Sequence, residues 1–227
     1  MLSSSPDADY AASDFRMKIF DISRPLFNGL APWPGDTAFH FDLKWKMAEG
    51  ATVNVGAVTM GVHNGSHADA PFHFQQGADT IERMPLETYF GEAVVVDLTK
   101  KFEGGERHEI TTADLGAAAD SAPRILLKTS VWNDSKNFPE WIPVIGNEVA
   151  KWLEARKVKL LGLDLPSVDK IEAKVLVNHH ALAAANIAIV ESLDLSEIEP
   201  GKYHLSALPL RISGGDAAPV RAILWRD

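Results

Sequence analysis

Between Val62 and Phe74 the chain reads VHNGSHADAPFHF, three histidines and an aspartate in a short stretch. Imidazole nitrogen and carboxylate oxygen are the donors that hold a divalent cation, and the chain has no cysteine, so any metal must be held by nitrogen and oxygen alone. Gly65 and Pro71 argue against a helix through the segment, so His63 and His67 do not share a helical face in the manner of an H-E-x-x-H pair. A turn must gather them instead, and glycine allows the backbone to reverse tightly enough for His63, His67 and Asp69 to meet on one ion. His73 lies two residues beyond Pro71 with phenylalanine on either side. A histidine beside a metal but not needed to hold it has the form of a general acid–base. Any one of these histidines alone would read as a turn cap or a half-buried polar group; their density favours a site.

A second constellation runs from Asn178 to Glu191, NHHALAAANIAIVE, where two adjacent histidines open a helix and Glu191 closes the apolar strand that follows. A carboxylate at the end of a buried strand needs a partner, because burying an unpaired charge costs several kcal/mol. A metal is one such partner and an arginine or lysine another. Together the two clusters hold enough donors for two cations bridged by one carboxylate, with Asp69 the natural bridge. Which of His179 and His180 faces the metal is left open by the residues themselves.

The elements that must position these groups can be read from periodicity. A strand is expected at Lys18 to Ile22, then a loop punctuated by Pro25, Gly29, Pro32, Pro34 and Gly35 that carries Trp33. From Phe39 to Met47 apolar and polar residues alternate, which predicts a half-buried strand, and Val53 to Val62 is a second, joined to it by a turn at Glu49-Gly50. A short helix near Leu86 to Phe90 and a strand at Ala93 to Leu98 follow. Then come a helix capped by Thr111 or Thr112, a strand at Ile125 to Thr129, and a helix from about Asn147 to Arg156. In that helix Val149, Trp152, Leu153 and Arg156 share one face. Strands at Val158 to Leu163, Ile187 to Val190, Tyr203 to Leu210 and Val220 to Trp225, with a helix at His179 to Asn186, complete the pattern. A leading hairpin followed by β-α-β alternation predicts an α/β fold with a mixed, barrel-like sheet and surface helices.

Length and charge narrow the classes further. The 227 residues, 46% hydrophobic, suit one domain, expected at 17–227 behind a flexible tail at 1–16 that is rich in Ser, Ala and Asp. The net charge of −9 opposes a phosphate backbone, so nucleic acid is not an expected partner. With no basic start, signal-length apolar stretch or run of about twenty apolar residues, the chain is expected to be soluble and cytoplasmic, without a membrane partner.

The segment HNGSHADAPFH resembles the H-x-G-x-H-x-D-x-P-x-H motif of the cyclase superfamily of metal hydrolases. WPGDT at Trp33 to Thr37, VNV at Val53 to Val55, PLETYFG at Pro85 to Gly91, LLGLDLPSVD at Leu160 to Asp169, and ALPL with APVRAIL near the C-terminus are similar to its bacterial kynurenine formamidase (arylformamidase) branch. The resemblance covers nearly everything after the tail. It implies a swivelling β/β/α fold, a homodimer and a binuclear centre, zinc or else manganese, held by His63, His67, Asp69, His179 and Glu191. His179 is favoured over His180 because its interval to Glu191 matches the family. The resemblance further implies that His73 is catalytic, that Trp33 contacts a small aromatic amide, and that N-formyl-L-kynurenine is cleaved to L-kynurenine and formate. Asn64 and Ser66 depart from the motif's common Thr and small residue, and both are placed to alter hydrogen bonds behind the ligands.

Two rival readings share these residues: another hydrolase of the superfamily, such as one opening isatin, and a metal- or ligand-binding domain without catalysis. Retention of His73 beside the full ligand set speaks against the second. No G-x-S-x-G elbow, phosphate-binding loop or dinucleotide fingerprint is present, which leaves serine hydrolysis and nucleotide cofactors unsupported.

Overall fold

The computed structural model describes residues 17–105 and 107–226; the tail expected at 1–16 lies outside them. In chain order the strands and helices are β1 (Lys18–Asp21), β2 (His40–Trp45), β3 (Val55–Thr59), β4 (His67–Asp69), β5 (Phe90–Asp97), α1 (Thr99–Phe102), α2 (Thr112–Leu115) and β6 (Arg124–Lys128). The second half holds α3 (Val149–Ala155), β7 (Leu160–Leu163), α4 (Val177–Ala184), β8 (Ala188–Glu191), β9 (Gly201–Ser206), β10 (Ala217–Pro219) and β11 (Ile223–Arg226). Nine strands form one strongly curled sheet in the order β1-β11-β9-β5-β6-β7-β8-β4-β10. The central pairs β5-β6, β6-β7 and β7-β8 are parallel and the flanking pairs antiparallel, so the fold is the mixed α/β type that the pattern predicts.

The central strands are apolar runs because both faces of the sheet are covered. Val94, Val96, Ile125, Leu127, Leu161 and Ile189 pack with α3 and α4 on one side. Their neighbours Ala93, Val95, Leu126, Leu160 and Val190 fill the inside of the curl. Each such Leu, Ile or Val contributes about 1.5–3 kcal/mol by leaving water. In α3 the expected face is present: Val149 and Leu153 are fully buried, while Arg156 stacks 3.6 Å over the partly buried Trp152 ring. Thr111, rather than Thr112, caps α2, its N–H and hydroxyl both donating to Asp114. Among the described residues no helix is long and apolar enough to cross a membrane.

Several expectations are corrected. The strand expected at Phe39 to Met47 is more exposed than its alternation predicts: Phe41, Trp45 and Met47, with Val58 opposite Phe41 on β3, are 45–60% exposed, while Phe39 is buried and Leu43 partly so. The reason is that β2 and β3 pair only with each other, in a separate two-stranded sheet, so the apolar face of the alternation has no core of this chain to cover it. The turn itself falls as expected, with Gly50 at φ 93° closing a 3-10 turn at Met47–Glu49. Strand β9 ends at Ser206 rather than Leu210, short of Pro209, which has no N–H to donate to a ladder. The short helix near Leu86 is a single 3-10 turn, Leu86–Thr88, and α4 begins two residues before His179. Strands β4 and β10 have no apolar alternation to mark them, and the sequence reading placed none there.

Candidate metal centre

The segment read from sequence as a turn is a turn followed by a strand. Gly65 sits at φ 66°, a left-handed conformation that favours glycine; a Cβ there would also meet Leu26 Cδ2 at 2.7 Å, the movable end of an exposed side chain. The chain then enters β4 between β8 and β10, with His67 opposite Glu191 and Asp69 opposite Ala217. Strand alternation sends Ala68 into the core and turns His67 and Asp69 to the other face, beside Glu191. Helix α4, leading into β8, brings His179 to the same point. His180 is exposed and rests against Phe74, so of the doublet it is His179 that meets the cluster. Pro71 opens a 3-10 turn, Pro71–His73, that sets the half-exposed His73 ring 4.2 Å from His63.

The motif departures stitch this geometry together. Ser66 Oγ donates to Ser192 O at 2.7 Å and accepts from Arg24 N–H at 2.8 Å, tying the segment to the residue after Glu191. Asn64 Nδ2 donates to Thr37 O at 2.6 Å.

Each of the three inner histidines turns one nitrogen toward the carboxylates and has the other held by an oxygen. His63 Nδ1 lies 3.3 Å from Asp69 Oδ1, with Nε2 2.9 Å from Asp216 Oδ2. His67 Nε2 is 3.4 Å from both Asp69 Oδ1 and Glu191 Oε2, with Nδ1 2.9 Å from Gly65 O. His179 Nε2 is 3.5 Å from Asp69 Oδ2 and 3.6 Å from Glu191 Oε1, with Nδ1 2.7 Å from Asp169 Oδ2. An outer oxygen that accepts an N–H leaves the inner nitrogen with its lone pair, the arrangement that orients metal-binding imidazoles. His67 Nε2 and both Asp69 oxygens are buried without a hydrogen-bond partner. Leaving such atoms unpaired is costly, and a cation among them removes the cost. Three groups of donors close to within 4.8 Å: His63 with His67 and Asp69, Asp69 with His179 and Glu191, and, further out, His63 with His73 and Asp216. The donor set fits a divalent cation, and Asp69 belongs to both of the inner groups.

Charge in the cluster is strongly coupled. Burial alone would lower the histidines, but Asp216 and Asp69 outweigh it at His63 and raise it to about 9. Against the same burial, Asp69 and Glu191 raise His67 to about 10, and Asp169 and Asp69 raise His179 to about 10. Burial pushes Glu191 up, with Asp69 adding to the shift; Asp69, although buried, is held well below the usual carboxylate range by His179, His63 and His67. His73 goes the other way. Burial lowers it from its ordinary value, with repulsion from His63 and His179 adding to the shift and the charges of Asp69 and Asp216 opposing it.

A cavity of about 290 Å³ opens over the cluster, and His63, His67, His73, His179 and Glu191 line its floor. Trp33, Trp132 and Phe138 form an aromatic wall, Phe138 standing edge-on 5.2 Å from Trp33 and 5.8 Å from Trp132, whose ring is stacked by Arg24 at 3.9 Å. The structure thus brings together all seven residues singled out from sequence. Four others escaped that reading: Asp169, Asp216, Trp132 and Phe138. Asp169 stands ten residues before His179, and with Lys170, Glu172 and Lys174 between them it reads as one more charge of a polar loop.

The Cyclase family model matches residues 20–170. A kynurenine formamidase of Geobacillus thermodenitrificans is 41% identical over 204 residues, covering 90% of this chain and 95% of that protein. Among solved structures, a potential metal-dependent hydrolase with cyclase activity superposes with a TM-score of 0.76 at 26% identity, over 93% of this chain and 99% of that one. Isatin hydrolase A of Ralstonia solanacearum has the same fold, with a TM-score of 0.78 at 21% identity over 93% and 92% of the two chains. On the family match and the identity to the formamidase, the chain belongs to the Cyclase family and, within it, to the kynurenine formamidases.

Proposed function

We propose that this protein is an arylformamidase that hydrolyses N-formyl-L-kynurenine to L-kynurenine and formate. In this reading residues 17–227 form one hydrolase domain. His63, His67, Asp69, His179 and Glu191 would hold two divalent cations, zinc or manganese, Asp69 being the residue that the two inner donor groups share. The observation that carries the reading is the pair of unpartnered Asp69 oxygens, shared by two donor groups beneath an aromatic cavity. When bound, the cations would supply Lewis acidity toward the formyl oxygen and lower the pKa of an attacking water.

The chain's own residues do the rest. Trp33, with Phe138 and Trp132, holds the aryl ring and so sets the formyl carbon over the cluster. His73 takes a proton from the attacking water as its oxygen bonds to the formyl carbon. The tetrahedral intermediate then collapses, the C–N bond breaks, and His73 returns the proton to the departing aniline nitrogen. The products are the free amine and formic acid, which ionises to formate by releasing its proton to solvent, and His73 ends unprotonated as it began.

The proposal includes a homodimer and a cytoplasmic location. The exposed apolar face of the β2–β3 hairpin, with Phe41, Trp45 and Val58, supports the first; the second rests on the formamidase relationship. The assignment of roles is tested with two variants. His73→Ala keeps its metal and loses most turnover, about a hundredfold or more, whereas Asp69→Ala loses metal. Equal metal loss in both would make His73 a ligand and sink this division.

A further inference from the structure

Of the carboxylates that line the cavity, Asp36 and Asp216 are not used by the reaction as described, and Asp216 is the one beside the histidines. It directly precedes β10, whose pairing with β4 sets Ala217 opposite Asp69, and its carbonyl accepts the Ala70 N–H at 2.9 Å. Sheet pairing therefore fixes its backbone beside the end of the ligand strand. Its Oδ2 lies 2.9 Å from His63 Nε2 and 3.4 Å from His73 Nδ1. A single oxygen thus addresses the outer nitrogen of a proposed ligand and one nitrogen of the proposed base.

A neutral imidazole carries one N–H on either nitrogen, and a carboxylate can only accept. At His63 the contact is a hydrogen bond; at His73 it is a 3.4 Å ion-pair approach, in which the carboxylate's charge favours the tautomer with the proton on the nitrogen that faces it. We propose that Asp216 is a positioning residue that fixes His73 as the Nδ1–H tautomer. Nε2 is thereby left bare to exchange the proton with water and the leaving nitrogen. The inference rests on the reading of His73 as the acid–base of amide hydrolysis. An amide in place of the carboxylate has both a donor and an acceptor, and it allows the opposite tautomer at similar size, the logic by which a buried aspartate orients a catalytic histidine.

The direct test is ¹⁵N NMR of the His73 ring in the wild-type, zinc-loaded protein at pH 7. A protonated Nδ1 and a pyridine-type Nε2 are expected; the reverse assignment overturns the inference. The kinetic test is Asp216→Asn, assayed at saturating zinc because the same oxygen also holds His63: kcat per bound metal should fall about a hundredfold or more, while KM stays near wild type. Asp216→Glu, which restores a group that can only accept, should recover part of kcat. Turnover by Asp216→Asn near wild type, or loss of metal in step with turnover, overturns the inference. His73→Ala in the same series separates the two readings. If it is inactive while Asp216→Asn is not, only the Asp216 role fails; if it also turns over, the role of His73 fails with it.

Discussion

His67 and Glu191 face each other across the antiparallel pairing of β4 and β8, with Nε2 3.4 Å from Oε2. The meeting of His67, Asp69 and Glu191 is therefore a property of sheet register. A one-residue slip of β4 would send His67 and Asp69 into the core and Ala68 to the site. Ser66, bonded to Ser192 O, and Ala70, bonded to Asp216 O, pin that register at both ends of the strand.

The ion pairs of the cluster predict how the metal-stripped protein responds to pH. His63, raised to about 9, and His67 and His179, raised to about 10, are protonated in the folded state well above their ordinary 6.5. Their contribution to stability is fully present below pH 6.5 and is lost as pH rises through 9 to 10. Thermal unfolding of chelator-treated protein should thus show Tm falling between pH 6.5 and 10. A flat or rising profile would contradict this coupling. Metal uptake near neutral pH should also release protons, measurable in weakly buffered solution.

Gly65→Ala tests the turn that delivers His67. The φ of 66° costs alanine about 1–2 kcal/mol, and the new Cβ also meets Leu26. The denaturant midpoint should fall accordingly with an unchanged slope. Stability equal to wild type would mean that the turn relaxes freely and does not hold the strand in place.

Trp33→Ala tests the aromatic wall. Because Trp33 contacts Phe138 rather than the ion cluster, its loss should weaken ground and transition state alike, raising KM about tenfold with kcat little changed. A collapse of kcat at constant KM would move Trp33 from binding to the chemistry.

The hairpin tests assembly. Wild-type protein should sediment as a dimer, and Trp45→Glu should shift it toward monomer, because a charge would enter an apolar contact face. A dimer unaffected by Trp45→Glu would put the interface elsewhere.

Much of the site was legible because its ligands are dense in sequence, and because Gly65 and Pro71 rule out a helix through them. The buried central strands were legible for the same local reason, being continuous apolar runs. Strand β4 was not, because His67-Ala68-Asp69 carries the polar ligands where a strand would show its periodicity. Asp216 lies 153 residues from His63 and reaches it only through the β10–β4 pairing, which local pattern does not encode. The exposure of Phe41 and Trp45 was likewise hidden: alternation reports that one face is apolar, not what covers it.

The central claim is tested most directly by assaying the purified protein with N-formyl-L-kynurenine and, separately, with isatin, before and after chelation and after zinc or manganese repletion. The account predicts turnover of N-formyl-L-kynurenine that chelation abolishes and metal restores, with little turnover of isatin. Turnover of isatin alone, or formamidase activity that survives complete metal removal, would contradict it.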